Sequence, residues 1–191
     1  MNSPAIIVMG GSAGSIEALS KILPALPGDF PVPVLVVVHI PPDKNSGLAS
    51  LFRGKCTVSV HEARDKQPLD AGTVYFAPPD YHLQVEAEGY ISLSYDEPLL
   101  FSRPSIDVLF ESAADSFGKN VIGVVLSGGN NDGAQGLQTI LARGGQGLVQ
   151  SPSEALTPTM PQAALKACPS ADVRAAEEIA EQLKARCGNG N

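Results

Sequence analysis

The residues best suited to chemistry begin with a serine in a glycine-rich turn. Residues 5–14 read AIIVMGGSAG, in which Gly10, Ser12 and Gly14 fit the pattern G-x-S-x-G. An apolar run followed by small residues and a helical-looking segment predicts a strand, a tight turn and a helix start, a turn that can hold a serine hydroxyl at a sheet edge. Ser12 is therefore a candidate nucleophile. The alternative is that Ser12 or Ser15 only caps the helix that follows.

Two more polar residues follow apolar runs. His39 comes directly after residues 34–38, and Asp132 lies in SGGNNDGAQG, residues 127–136, which follows the apolar run 121–126. Ligands bind at the carboxyl edge of open parallel sheets. A serine, a histidine and an aspartate at that edge would form a nucleophile, its general base and the group that fixes the tautomer of the base.

The triad hypothesis also requires an oxyanion hole, and each of its residues has a structural alternative. Backbone N–H groups of Gly129 and Ala13 would hold the oxyanion of a serine hydrolase. His39 and Asp132 could each have a purely structural role. A histidine after a strand is often a structural hydrogen-bonding residue, and Asp132 before a glycine can simply form a turn or a helix cap. His61 and His82 have no companion motif and are expected to be structural.

The pattern of apolar runs predicts the scaffold that positions these residues. Alternating strands and helices indicate a doubly wound α/β fold, with a mostly parallel, Rossmann-like sheet between helices (α/β/α) and an antiparallel hairpin at one edge. Strands are expected at 5–9, 34–38, 56–60, 73–77, 121–126 and, as the last, 147–150, with the hairpin at 81–95. Helices are expected at 15–23, from Ser46 to residue 52, and at 105–117 with Ser105 as N-cap. Further helices are expected after the loop 127–136 up to residue 143, at 161–167 with Pro161 as the first residue, and at 175–186. Residues 1–187 would form one domain and residues 188–191 a disordered tail.

Composition narrows the classes of function. The chain has 191 residues, 43% hydrophobic and 17% charged, with a formal net charge of −7, which argues against nucleic acid as a partner because no basic stripe is available. Three widely spaced cysteines without a C-x-x-C motif favour a reducing compartment. No segment resembles a signal peptide or reaches membrane-spanning length, so the expected location is the cytoplasm, without membrane insertion.

Two rival functions come from other classes. A dinucleotide or phosphate binder also opens with a strand, a glycine turn and a helix. However, the glycines do not form G-x-G-x-x-G, and His39 stands where an acidic ribose ligand is expected. A non-catalytic anion-binding or interaction module is the second rival, and such a module would tolerate loss of any triad member.

Several segments in order resemble the protein-glutamate methylesterases of bacterial chemotaxis, the CheB catalytic domain. They are GGSAGSIEAL around Ser12, VVVHIPP around His39, FSRPSIDVLF at 101–110, VIGVVLSGGNNDGAQGL around Asp132 and TMPQAAL at 159–165. The resemblance implies that Ser12 is the nucleophile, His39 the base and Asp132 its orienting carboxylate. It also implies hydrolysis of glutamate γ-methyl esters on chemoreceptor helices with release of methanol, deamidation of glutamines, and no metal or cofactor.

Some residues depart from the family pattern or have an open role. Gly129 stands where a methionine is usual, and Ala13 where a hydroxyl residue commonly follows the nucleophile. Arg103 and Asn130 are candidate substrate-binding residues, although a solvated salt bridge is the alternative for Arg103. Because the first strand begins near residue 5, no receiver domain is expected within these residues. Control would then come by another route, including a response regulator or fusion partner in trans, and a degenerate, non-catalytic CheB-like module is the alternative.

Overall fold

A computed structural model describes residues 5–39 and 47–188 of the chain. Its strands are β1 (Ile6–Gly11), β2 (Val34–Val38), β3 (Ser59–Glu62), β4 (Thr73–Phe76), β5 (His82–Val85), β6 (Ile91–Ser94), β7 (Val121–Val125), β8 (Gln146–Gln150) and β9 (Asp172–Arg174). Its helices are α1 (Ser15–Ile22), α2 (Leu48–Arg53), α3 (Ile106–Phe117), α4 (Ala134–Ala142), α5 (Thr159–Ala167) and α6 (Ala176–Cys187).

Seven strands form one parallel sheet in the order β3-β4-β2-β1-β7-β8-β9. The chain moves outward from β1 to β2 on one side and later returns to place β7 on the other side. The carboxyl ends of β2, β1 and β7 are therefore immediate neighbours at a topological switch point, where ligands of open α/β sheets bind. This arrangement confirms the predicted fold class.

The side-chain alternation of the strands divides the core into two layers. Ile7 and Met9 of β1 pack in one layer with α1, α2 and α6. Ile6 and Val8 pack in the opposite layer with α3, α4 and α5. Because both faces of the sheet are covered, the central strands β1, β2 and β7 are buried along their whole length, which explains why they are continuous apolar runs.

The predicted hairpin forms as a separate two-stranded antiparallel sheet of β5 and β6. Gly89 has φ of 81° in the connecting turn. Two side chains of α3 hold β5 in place: the Ser112 hydroxyl accepts a hydrogen bond from the N–H of Val85 at 3.2 Å, and the Ser116 hydroxyl donates to its carbonyl at 3.0 Å. The hairpin is thus fastened to the helix that begins beside the sheet edge.

Several predicted boundaries differ from the structure. The expected cap Ser46 lies outside the described residues, and α2 begins at Leu48 with Gly47, at φ of 55°, as its N-cap. Pro161 does not open α5; the helix starts two residues earlier at Thr159, which is compatible with proline because N–H groups of the first turn need no intrahelical acceptor.

The strand predictions contain two further errors. The expected strand at 56–60 is displaced to Ser59–Glu62, and the strand expected at 147–150, which forms as β8, is not the last. β9 pairs with β8 in parallel, but it has only three residues and none is buried. A short edge strand of this kind has no apolar run that would reveal it in the sequence. Of the proposed tail, residues 189–191 lie outside the described residues.

The structure describes the state of the three cysteines and the helices that could be considered as membrane spans. Cys56, Cys168 and Cys187 are all free thiols. Across residues 5–39 and 47–188, no helix is both long and apolar enough to cross a bilayer.

Helices α3 and α4 approach closely because of Gly136. A Cβ atom at this position would lie 2.5 Å from Cβ of Phe110 and 3.1 Å from Cα of Asp107. The absence of a side chain therefore allows the first turns of the two helices to touch, and these turns carry the polar groups described below.

Substitution Gly136→Ala should lower the free energy of unfolding by about 2 kcal/mol, because the steric cost of overpacking exceeds the gain in helix propensity. Urea denaturation measures this change. Gly54→Ala is the matched control: nothing lies within 4 Å of a Cβ there, and stability should change by less than about 0.5 kcal/mol. Equal effects of the two substitutions would contradict the close helix contact.

Candidate active site

The turn that carries Ser12 is built by the end of β1. The Ser12 N–H donates to the carbonyl of Ser127 at 2.8 Å, and the Ser12 carbonyl accepts from Ser15 N and Oγ at 3.0 and 2.7 Å. Gly14, at φ of 84°, is the N-cap of α1, and no side chain supplies a cap hydrogen bond. Neither serine therefore caps the helix through its hydroxyl. Ser12 is half-buried, and within the described residues its hydroxyl makes no hydrogen bond.

The neighbouring strand end fixes this turn through Ser127, a residue that the sequence did not single out. Its buried hydroxyl donates to the carbonyl of Ala13 at 2.6 Å and accepts from the N–H of Thr157 at 2.9 Å. Its own N–H donates to Oε1 of Gln150 at 2.9 Å. A Cβ on Gly14 would lie 2.7 Å from the Ser127 hydroxyl, so that glycine is required by space as well as by its positive φ.

His39 stands directly beside the serine turn. The register of β1 and β2 pairs Gly11 with Val38, and the His39 N–H continues the ladder by donating to the Gly11 carbonyl at 3.0 Å. The next residue is Ser12 after β1 and His39 after β2. His39 Nε2 lies 2.8 Å from Oδ2 of Asp132, so two of the three predicted triad side chains are in direct contact.

This contact defines the tautomer of His39. An ionised carboxylate only accepts hydrogen bonds, so Nε2 carries a proton and Nδ1 is left as the nitrogen that can accept one. The hydrogen bond from Ser12 Oγ to that nitrogen is not formed in this structure. Catalytic hydrogen bonds are often longer in a substrate-free site and tighten when substrate binds.

The Asp132 carboxylate is fully buried and collects four hydrogen bonds. Oδ2 accepts from His39 and from the N–H of Ile106 at 2.7 Å, and Oδ1 accepts from the Ser105 hydroxyl at 3.0 Å and the Asp107 N–H at 2.9 Å. These two N–H groups open α3, so Asp132 caps a helix far from it in sequence. Burial by itself would raise the pKa of Asp132, but the bonds from His39 and from the helix lower it below its ordinary value.

A second buried carboxylate, Asp107, caps α4 from α3. Its Oδ1 accepts from the N–H groups of Gly133 and Gly136 at 2.9 and 2.7 Å. Burial raises the pKa of Asp107 to about 6; the negative charges of Asp132 and Glu111 raise it further, and the two N–H bonds oppose the shift. Sequence analysis placed Asp107 only in the first helical turn, where an acidic residue is favourable for local reasons.

His82 supports the carboxylate from outside the site. Its ring is buried; Nδ1 accepts from the Ser105 N–H at 3.1 Å, and Nε2 donates to the Glu97 carbonyl at 3.1 Å. Ser105 in turn donates its hydroxyl to Asp132. The sequence predicted a structural role for His82, and the ring does hold the segment before α3, although its link to the site was not foreseen. His61 lies on the outer strand β3, away from these residues.

Two free N–H groups lie where the sequence predicted an oxyanion hole. Within the described residues, no hydrogen bond engages the N–H of Ala13 or of Gly129. The Gly129 loop is anchored one residue earlier, because the Gly128 N–H donates to the Thr157 carbonyl at 3.0 Å and the Gly128 carbonyl accepts from Met160 N at 2.9 Å. Anchored backbone with free donors is the arrangement that an oxyanion hole needs.

Arg103 and Asn130, the candidate substrate-binding residues, both form hydrogen bonds within the protein. Arg103 donates from Nε and one terminal nitrogen to Oδ1 of Asp80 at 3.0 and 2.7 Å, and its guanidinium carbon lies 3.7 Å from the ring centre of Tyr95. The salt bridge considered as the alternative is therefore present, and contact with substrate would require its exchange. Asn130 accepts the Asp132 N–H at 3.1 Å and so braces the loop.

Within residues 5–39 and 47–188, no three histidine, cysteine, aspartate or glutamate side chains are grouped as metal ligands. The arrangement instead supplies a free hydroxyl, a base with a fixed tautomer and two free N–H donors. Acyl transfer from an ester or amide through a serine is the chemistry that uses these groups together.

Comparisons with known proteins agree with this site chemistry. A family model described as CheB methylesterase matches residues 7–183. A Leptospira interrogans protein is 42% identical over 95% of this chain and 93% of its own length. A protein-glutamate methylesterase/protein-glutamine glutaminase of Symbiobacterium thermophilum is 35% identical over 97% of this chain, but this chain spans only 51% of that protein. The catalytic domain of Thermotoga maritima CheB methylesterase superposes with a TM-score of 0.91 at 30% identity, covering 95% of this chain and 98% of that one.

Substitution Asp132→Ala should lower the free energy of unfolding by about 3 kcal/mol at neutral pH, because it leaves buried N–H groups of α3 and the His39 ring without their acceptor. Chemical denaturation measures this loss. Because the folded pKa of Asp132 is lowered, its contribution is present above the ordinary pKa of 3.8 and disappears as pH falls through the folded value.

Asp115→Ala is the control for this prediction. Asp115 forms an exposed salt bridge with Arg143 on the same pair of helices, and its removal should cost less than about 1 kcal/mol. An Asp132→Ala variant as stable as the control would show that the carboxylate is not the anchor of α3.

Proposed function

The chain belongs to the CheB methylesterase family, and from that premise we propose that it hydrolyses glutamate γ-methyl esters on proteins through Ser12, His39 and Asp132. Membership confirms the resemblance and the enzyme class predicted from the sequence. The observation that carries the assignment of roles is the 2.8 Å hydrogen bond between His39 and Asp132 next to the free hydroxyl of Ser12. The dinucleotide-binding rival is not supported by any of the comparisons reported above.

In the first half of the reaction, His39 Nδ1 accepts the Ser12 proton while Ser12 Oγ attacks the γ-carbonyl carbon of the ester. The negative charge that develops on the carbonyl oxygen is stabilised by the N–H groups of Ala13 and Gly129. The proton held by His39 then passes to the methoxy oxygen, and methanol leaves. A glutamyl ester of Ser12 remains.

In the second half, His39 accepts a proton from water, and the resulting hydroxide attacks the acyl carbon. Collapse of this intermediate returns the proton to Ser12 and releases a glutamate carboxylate. Asp132 stays ionised throughout and stabilises the imidazolium that forms in both halves. The same steps acting on a glutamine amide release ammonia, which is the glutaminase activity in the double name of the relatives.

The substrate and setting follow from the same family. We expect the methylated cytoplasmic helices of chemoreceptors to be the protein substrate and the cytoplasm to be the location. A response regulator or fusion partner acting in trans would supply control. Two exposed apolar side chains support a protein substrate: Leu156 lies near the Ser12 turn, and Phe101 lies on the segment before α3.

Substitution Ser12→Ala should reduce methanol release from methylated receptor fragments by about 10⁴-fold or more, because the acyl-enzyme cannot form. Its melting temperature should stay within a few degrees of the wild type, since the hydroxyl makes no hydrogen bond within the described residues. Gas-chromatographic detection of methanol provides the measurement.

Ser153→Ala is the matched control for this test, because Ser153 is an exposed serine in a surface turn. It should retain wild-type turnover. Unchanged turnover in Ser12→Ala would reject the serine mechanism, whereas a wild-type protein that binds receptor without turnover would point to the non-catalytic module.

Substitution Gly129→Ala should be tolerated and should raise kcat by about twofold or more, because a less mobile backbone holds the oxyanion donor in place more firmly. The added Cβ would meet only Cγ2 of Thr157, at 3.9 Å. Steady-state kinetics and thermal melting test this. Gly133→Ala is the contrasting variant, because Gly133 has φ of 91° and its Cβ would lie 2.8 Å from Ile106; it should lose stability. A fall in kcat for Gly129→Ala would contradict the expected benefit.

A further inference from the structure

Asp107 and Asp132 form an interlocked pair of buried carboxylates. Asp132 precedes α4 and caps α3, whereas Asp107 belongs to α3 and caps α4. The backbone joins the two caps as well, since the N–H of Asp107 donates to Oδ1 of Asp132 and the N–H of Gly133, the residue after Asp132, donates to Oδ1 of Asp107. Asp107 therefore binds the peptide N–H that follows Asp132, while the start of α3 binds the Asp132 carboxylate.

Asp107 places a second buried carboxylate beside Asp132, the residue that contacts His39. Asp107 is 8% exposed, and its pKa is raised to about 6, first by burial and then by the charge of Asp132. Above that pH both carboxyls are ionised, and the only cation that the described triad can form there is the imidazolium of His39. A neutral residue at position 107 would cap α4 without this electrostatic strain, so capping alone does not explain a carboxylate.

Few other titratable groups surround Asp107. The elements packed against α3 are chiefly β1, β2, β5, β7, α4 and the short 3-10 turn at 118–120. Of these, only β5, with His82, and the 3-10 turn, with Lys119, carry titratable side chains. The loops add Asp132 and His39, and α3 itself adds Glu111 one turn along and Asp115 farther on. Lys119 and Arg143 lie at the opposite end of α3.

We propose that Asp107 is a positioning residue of the reaction: its carboxylate fixes the Asp132 turn, and its charge, acting through Asp132, makes His39 a stronger base. The proposal rests on the role of His39 proposed above. It assigns Asp107 an electrostatic function beyond the cap that any hydrogen-bond acceptor would provide.

The direction in which the Asp107 charge shifts the protonation of His39 follows from electrostatics. His39 becomes a cation when it accepts the Ser12 proton, and a nearby negative charge stabilises that cation. Removing the charge of Asp107 while keeping an acceptor oxygen should therefore favour neutral His39. The acid limb of activity should move to lower pH, and the plateau rate should fall.

The test compares pH profiles of kcat/KM for methanol release. Asp107→Asn should move the midpoint of the acid limb down by about 0.5 to 1 pH unit and lower the plateau about threefold to tenfold, the scale expected for one unit charge at a partly screened site. Asp107→Glu should restore the midpoint, because it restores the charge. Asp115→Asn removes an exposed carboxylate of the same helix and should leave the profile unchanged. An Asp107→Asn profile that superposes on the wild type would overturn the proposal.

A measurement without substrate separates this proposal from the proposed activity. The chain has three histidines, so NMR titration can follow the His39 ring once its signal is assigned with a His39→Gln variant. In Asp107→Asn the His39 midpoint should move down, while that of His61 on the outer strand should stay. If the protein released no methanol but His39 moved, the coupling would stand and the activity would fail. If methanol were released but His39 did not move, the coupling would fail.

The pH dependence of the free energy of unfolding provides a further test of the Asp107 carboxylate. The folded pKa of Asp107 is raised above its ordinary 3.8 to about 6, so the folded state holds this proton more tightly. Its contribution to stability is complete at low pH and is lost as pH rises from about 4 to about 6. Urea denaturation should show that the stability of Asp107→Asn, relative to that of the wild type, increases as pH rises through this window. Equal slopes would contradict the buried, strained carboxylate.

Discussion

The site depends on one buried charge, the carboxylate of Asp132. An ion removed from water is stable only when its oxygens are fully bonded, and here the partners are the His39 ring, the Ser105 hydroxyl and the first two N–H groups of α3. These partners belong to two separate parts of the chain, and Asp132 itself lies in a third. The need to satisfy one carboxylate therefore joins the end of β2, the start of α3 and the loop after β7.

Close backbone contacts make that junction possible. Ile106 at the start of α3 lies against Gly10 of β1 and Gly133 before α4, where a Cβ would come within 2.2 and 2.8 Å of its Cγ2 atom. Neither position could hold a larger residue without moving the helix. The helix start is thus pressed onto the carboxyl edge of the sheet, beside the strand that carries Ser12. The glycines around the site serve this packing as much as they serve the turns.

The sequence predicted the parts of this arrangement that are local. Continuous apolar runs indicated β1, β2 and β7, and the polar loops that follow them supplied the candidates Ser12, His39 and Asp132. It did not predict that Asp132 caps α3, because His39 and Ser105 lie 93 and 27 positions away from it and no local pattern reports such contacts. Ser127, and the link of His82 to the site, were missed for the same reason: a buried serine or histidine has no distinctive spacing, and its partners are set by the tertiary fold.

Covalent trapping of the nucleophile is the decisive measurement, because the proposed mechanism requires a reactive hydroxyl on Ser12 that His39 activates. A fluorophosphonate reagent forms a serine–phosphorus bond and releases fluoride, and peptide mass spectrometry then locates the adduct. We expect one adduct, on the peptide containing Ser12, formed in parallel with loss of methylesterase activity and greatly slowed in a His39→Gln variant. Loss of activity with Ser12 unmodified, or an adduct that forms equally fast without His39, would contradict the proposed mechanism.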